Sequence, residues 1–247
     1  MKLKLIACEV FTREIGLCAA NSPHTINIEF TPKNAHDDAD KLRKILQDKI
    51  DGSDKENYDA VLLGIGLCGN STSGIKAGKT KIVIPRAHDC CTIFLGSRHK
   101  FKNIFENRQS TPFTSVGYME RGTSLMHDTS DFAVHAGLQQ SLKEYIEIYG
   151  EESGKYLWDS LHQNTEDQNK DIIYIEIPEF EHLEFAEKAK RWANENGKNF
   201  IKETGSISII KKLLSGEWNE EEFLTVNPGE KIDPVYDWDK IIQAKSQ

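Results

Sequence analysis

Two short segments hold most of the residues able to do chemistry. Gly64-Ile65-Gly66-Leu67-Cys68-Gly69-Asn70 sets one thiol among three glycines, and Pro85-Arg86-Ala87-His88-Asp89-Cys90-Cys91 brings an imidazole and two thiols close together. Cys8-Glu9 is a third such point. Cysteine sulfur and histidine nitrogen together make a donor set that suits zinc. Cys68, His88 and Cys90 are therefore the expected metal ligands, with zinc, or another transition metal such as iron, as the expected cofactor. Three protein ligands leave a fourth position for water or substrate, as catalytic sites do, whereas Cys8 would close the set and make it structural. A metal-free catalytic thiol stays open beside this reading, as does plain packing, because buried thiols behave as small hydrophobes. Cys90 is expected in the site and Cys91 in the core, against Ile93, Phe94 or Leu95, with the reverse assignment open.

The neighbours suggest supporting roles. Arg86 could grip an anionic group of a substrate in bidentate fashion, and Asp89 could orient His88 from behind. A salt bridge between the two, or on the surface, explains them equally well. Glu120 and His127 are the expected proton carriers, with Tyr118 and His135 as further candidates for a facing wall. Residues 64–69 also spell G-x-G-x-x-G, the dinucleotide fingerprint. Two strands precede the one it leaves, however, and a thiol stands where backbone should approach phosphate. Glycines that let the chain turn tightly around Cys68 explain the same letters, so no dinucleotide cofactor is expected.

Something must bring these points together, and the hydrophobic pattern supplies it. Apolar runs at residues 3–10, 58–66 and 81–86 predict buried strands, and alternation at 25–30 predicts another. Residues 37–50 place Ala39, Leu42, Ile45, Leu46 and Ile50 at helical spacing, with Gly52 expected to end the helix. Strands alternating with helices predict an α/β fold, a three-layer Rossmann-like parallel sheet. The ends of its strands share one edge, where ligands bind, so Cys8, Cys68, His88 and Cys90 can converge. The segments carrying Cys68 and Cys90 are each expected to open a helix, whose N-terminus favours thiolate. The second half predicts a long helix over 138–162, a strand at 171–177, a helix over 181–196, a strand at 199–203, a helix over 207–214 and a strand at 222–226. Two halves of similar plan suggest pseudo-duplicated lobes, 1–109 and 138–247, joined by an irregular connection at 110–137. One sheet built from all the strands is the alternative.

The bulk numbers narrow the class. The 247-residue chain is 38% hydrophobic and 28% charged, ordinary for a globular protein, and its net charge is −8. No basic cluster outweighs its acidic surroundings, so nucleic acid is not an expected partner. No apolar run approaches the roughly 20 residues of a membrane span. The N-terminal run is short and interrupted by Glu9, which predicts a first strand rather than a signal peptide, and hence a cytoplasmic protein. Five irregularly spaced cysteines do not make a disulfide scaffold; in such a setting, grouping with histidine points to metal or catalysis.

In wording and spacing, the sequence resembles the domain of unknown function 1638 family of methanogens and anaerobes. The matching text is Gly66-Leu67-Cys68-Gly69-Asn70, Ile84-Pro85-Arg86-Ala87-His88-Asp89-Cys90, Phe94-Leu95-Gly96-Ser97 and the turn from Tyr118 to Glu120. The family usually has an aliphatic residue where this chain has Cys91, and glycine-tryptophan where it has Gly117-Tyr118. Encoding of such proteins near corrinoid-dependent methyltransferases implies one-carbon or thiol chemistry, with a corrinoid protein or methyltransferase as partner and a small anionic substrate. The implied activity is a metal-dependent transferase that activates a thiol or similar nucleophile, plausible for methyl transfer. A metal- or cofactor-binding accessory protein of such a system is one alternative. A cofactor-independent cysteine enzyme of the racemase kind is another, weakened because no cysteine follows Cys91.

Overall fold

The computed structural model describes residues 1–33, 35, 38–105, 111–121, 151, 170–235 and 237–246. The chain divides into two compact units, one formed by Met1–Asn107 with Thr204–Gln247 and the other by Arg108–Glu203.

The first unit is a Rossmann-like α/β layer structure. Strands β1 (Lys2–Cys8), β2 (Thr25–Thr31), β3 (Ala60–Gly64), β4 (Ile82–Pro85) and β8 (Phe223–Val226) form one sheet in the order β2-β1-β3-β4-β8. The first four run parallel and β8 closes the β4 edge antiparallel. Every residue of β3 and β4 is buried, which is why these strands appear in sequence as unbroken apolar runs.

Helix α1 (Thr12–Ala20) crosses from β1 to β2, and α2 (Ala39–Ser53) crosses from β2 back past β1 to β3. Parallel crossovers are right-handed almost without exception, so steps in opposite directions put α1 and α2 on opposite faces of the sheet. The strand order therefore reverses at the β1/β3 pair. In an open parallel sheet that reversal leaves a crevice beyond the carboxyl ends of the two strands, the usual place for a ligand.

Asp38 caps α2 by accepting from Lys41 N at 2.9 Å, and Leu42, Leu46 and Ile50 are its buried stripe. The helix runs through Gly52 to Ser53, past the stop expected there; Ser53 Oγ donates back to the Ile50 carbonyl at 2.6 Å and holds the last turn. After β4 come α3 (Cys90–Leu95) and α4 (Arg98–Phe105). Helix α7 (Ser208–Ser215) packs on α1, β3 and β4, and β9 (Glu230–Pro234) pairs antiparallel with β10 (Ile242–Ser246). Residues 204–247, expected to finish a second lobe, belong to the first unit instead, where β8 completes its sheet.

The second unit contains β5 (Phe113–Ser115), α5 (Val116–Glu120), β6 (Asp171–Glu176), α6 (Phe185–Glu195) and most of β7 (Asn199–Thr204). Its sheet has the order β5-β6-β7, with β5 parallel to β6. A 3-10 segment, Pro178–Leu183, replaces the first turn of the helix expected to begin at 181. The helix expected over 138–162 lies outside the described residues. No helix among those described is long and apolar enough to cross a membrane.

Candidate functional site

The crevice at the strand reversal is where the thiols gather. Cys8 is the last residue of β1, Cys68 lies four residues beyond β3, and Cys90 opens α3 after β4. Three neighbouring strands thus each deliver one cysteine to the same edge. The buried Cys90 thiol lies near enough to those of Cys68 and Cys8 to interact with both. Interaction with those two thiols, and burial, push Cys90 well above the ordinary thiol value. Cys8 moves the other way, chiefly through its interaction with Cys90, helped by the Val10 backbone N–H and by the charge of Lys33.

Two loops lock together to hold Cys68 there. Leu67 N donates to the Ala87 carbonyl and Cys68 N to the His88 carbonyl, both at 2.8 Å, continuing the β3–β4 pairing past the sheet. A Cβ on Gly66 would stand 2.8 Å from Asp89 Cα and N. That glycine is needed for loop-on-loop packing, which accounts for the letters of the dinucleotide fingerprint. The helix that the fingerprint requires, and that was expected after Cys68, is absent: residues 69–74 form turns. The cause is local, since Cys68, Gly69 and Asn70 all take left-handed backbone, with φ of 43°, 62° and 68°. Ser71 steadies the turn by donating Oγ to the Cys68 carbonyl at 2.6 Å.

Cys90 does open a helix. Asp89 caps it, accepting from Thr92 N at 3.0 Å and Thr92 Oγ1 at 3.2 Å. Those bonds give Asp89 the role of helix cap in place of the expected one, support of His88. Its carboxyl is raised by burial despite both bonds. Cys91 is fully buried, as core, and burial raises its thiol too.

His88 faces an aromatic group. Its ring stacks on Phe101 at 5.5 Å between centroids and meets Trp238 edge-on at 4.7 Å. Burial lowers its pKa, and Nε2 is buried without a hydrogen-bond partner among the described residues. Arg86 turns toward the chain's C-terminal segment. Its Nε donates to the Glu220 carbonyl at 2.9 Å, and Nη1 donates to the carbonyls of Lys240, at 2.8 Å, and Ile242. A tether of this kind, and not a salt bridge with Asp89, is what the guanidinium forms. Glu120 ends α5 in the second unit, where Tyr118 packs edge-on against Phe113; His127 and His135 lie outside the described residues.

Lys33 was not legible from the sequence. It is buried, its backbone N–H donates to Glu9 Oε1 at 2.7 Å, and its charge acts on Cys8. Only the β1–β2 register, which pairs Cys8 with Thr31, brings it there; no motif announces that pairing.

Fold and site together define a Rossmann-like α/β protein with a three-thiol cluster at its topological switch point. A family model described as protein of unknown function (DUF1638) matches residues 30–214, and the chain belongs to that family. Cys68, His88 and Cys90 fall inside the match and Cys8 outside it. No curated protein and no solved structure matches the chain.

Proposed function

We propose that Cys8, Cys68 and Cys90 form a thiolate centre for a soft divalent ion such as zinc, used to activate a thiol or similar nucleophile. The carrying observation is that three neighbouring strands each deliver one cysteine to the strand reversal, with the buried Cys90 thiol near enough to the other two to interact with both. Thiols so arranged would give up their protons to one shared cation. The buried, unpartnered Nε2 of His88 is the kind of orphan that an ion or water relieves. Among the described residues, no group of three or more His, Cys, Asp or Glu side chains already stands around a common centre as an ion requires. Loading would therefore turn the cysteine side chains inward. The bound ion would supply Lewis acidity, lowering the pKa of a coordinated nucleophile. Asp89 and the paired loops would hold Cys90 and Cys68 in place, and Lys33 would offset part of the thiolate charge. Methyl or one-carbon transfer, and an accessory role beside a methyltransferase, both use such a centre.

A second reading is favoured by Cys68 itself, which is half-buried on strained left-handed backbone, a conformation that gathers at functional sites. Here Cys68 would be a metal-free nucleophile. One experiment separates the two. Protein purified without oxygen or chelator should hold about one metal equivalent per chain, by elemental analysis. Cys8→Ser, Cys68→Ser and Cys90→Ser should each lose most of it, while Cys18→Ser and Cys91→Ser keep it. No metal in zinc- and iron-supplemented protein would remove the first reading, and selective alkylation of Cys68 in that protein would support the second.

A further inference from the structure

A cavity of about 260 Å³ is lined by Arg86, Arg98, His99, Lys212, Glu221 and Glu222, with Ser97 at its edge. Two guanidinium groups and one ammonium outnumber two carboxylates there. Like charges do not gather without a cause, and each guanidinium here is fixed by main chain. Two consecutive carbonyls of one segment do this, Glu220 accepting from Arg86 Nε and Glu221 from Arg98 Nη1, while Glu222 accepts from the Arg86 backbone N–H. The arginines are close enough that the charge of Arg98, after burial, helps to depress the pKa of Arg86. Arg98 is nine-tenths buried, with Nε lacking a hydrogen-bond partner among the described residues. Its ion pair among the described residues is a long one, 3.5 Å to Glu221, and the charge of Glu222 also acts on it. Lys212 is bound by Glu222 at 2.5 Å; Glu220 and Glu222 also act on Arg86 and Arg98 respectively, and the lining cations still outnumber the lining carboxylates. The cavity also sits at the first turn of α4, whose backbone N–H groups favour negative charge.

We infer that this cavity binds a small oxyanion, a phosphoryl or carboxylate group, between Arg86, Arg98 and the start of α4. The volume is below that of a drug-sized site and suits one such group. The two guanidiniums are already held in place, so little ordering is needed on binding. The site stands apart from the thiol reading, since none of its lining residues is a cysteine.

The test is calorimetric titration of the full chain, at low ionic strength, with inorganic phosphate and separately with succinate. Saturable binding of one equivalent is expected, and the tighter anion identifies the group recognised. Arg98→Gln should weaken it about tenfold, the worth of one charge-assisted hydrogen bond. Glu222→Gln removes a competing carboxylate and should tighten it. Cys68→Ser should bind as the parent does, even if the metal reading fails. Should Arg98→Gln not fold by circular dichroism, Lys212→Gln, which frees Glu222 to oppose the anion, takes its place and should also weaken binding. No saturable heat with either anion would overturn the inference. So would displacement by equimolar chloride, or affinity unchanged in the folded Arg98 or Lys212 variant.

Discussion

Cys68 carries its thiol on backbone with φ of 43°, which costs a side-chain-bearing residue roughly 1–2 kcal/mol. Glycine would take the same conformation without that cost. The sequence retains a thiol where the turn favours none, and the neighbours Gly69 and Asn70 are of the types that tolerate such backbone. Removing the thiol in two ways isolates the strain. Cys68→Gly should be more stable than Cys68→Ala by about 1 kcal/mol, read from urea midpoints in metal-free protein. Equal stability would mean that the turn relaxes once the sulfur is gone. At this scale the cysteines were legible as a group because their types and strand-end positions speak together. The roles of Arg86 and Asp89 were not: a strand-end arginine faces a substrate or a distant carbonyl with the same letters, and only the path of residues 220–242 decides. Lys33 failed for the same reason, since its importance lies in strand register.

Among the elements, β4 and the C-terminal pair β9–β10 depend on one another through Arg86. Its donors go to the carbonyl at 220, ahead of β8, and to those at 240 and 242, where the chain enters β10. Ile242 begins β10 and is fully buried, so this tether fixes the strand where it enters the core. Arg86→Lys keeps the charge but offers a single point in place of a planar fork. It should lower stability by about 1–3 kcal/mol in urea unfolding and speed hydrogen exchange in β10, leaving metal content unchanged. Loss of metal with unchanged exchange would return Arg86 to the thiol centre. The elements that sequence shows well are those with a buried face, such as β1, β3, β4 and the Leu42–Leu46–Ile50 stripe of α2. The missed ones lack that signal. Segment 12–20 carries Gly16 and few large apolar residues, while β9 and β10 are largely exposed or half-buried and rich in charge.

The whole molecule is not two halves in series, because its first unit is built from both ends of the chain. Sequence order suggested a division near residue 110; the pairing of β8 with β4 makes it 1–107 with 204–247. No hydrophobic pattern could show this, since an apolar run does not name its partner. The consequence can be tested with two altered chains. One ending at Glu203 would lose α7 and β8, and with them the buried Ile209, Ile210, Leu213, Leu214, Phe223 and Leu224. Burying each such side chain contributes about 1.5–3 kcal/mol, and the sum, about 9–18 kcal/mol, is as large as the roughly 5–15 kcal/mol by which domains are stable. It would also leave β4 as a bare edge and free the Arg86 guanidinium. This chain should show no cooperative unfolding. The other chain keeps both ends and replaces residues 108–203 with about eight Gly/Ser residues, whose mean span is roughly 16 Å. Lys100, in the first turn of α4, already donates to the Thr204 carbonyl, and α4 advances only about 7.5 Å from Lys100 to Phe105. The gap is therefore within reach. That chain should unfold cooperatively and keep the metal content of the parent, since Cys8, Cys68, His88 and Cys90 all lie in the retained unit. If both chains fail to fold, the second unit is needed for the first. If the chain ending at Glu203 folds, the closing role of β8 is wrong.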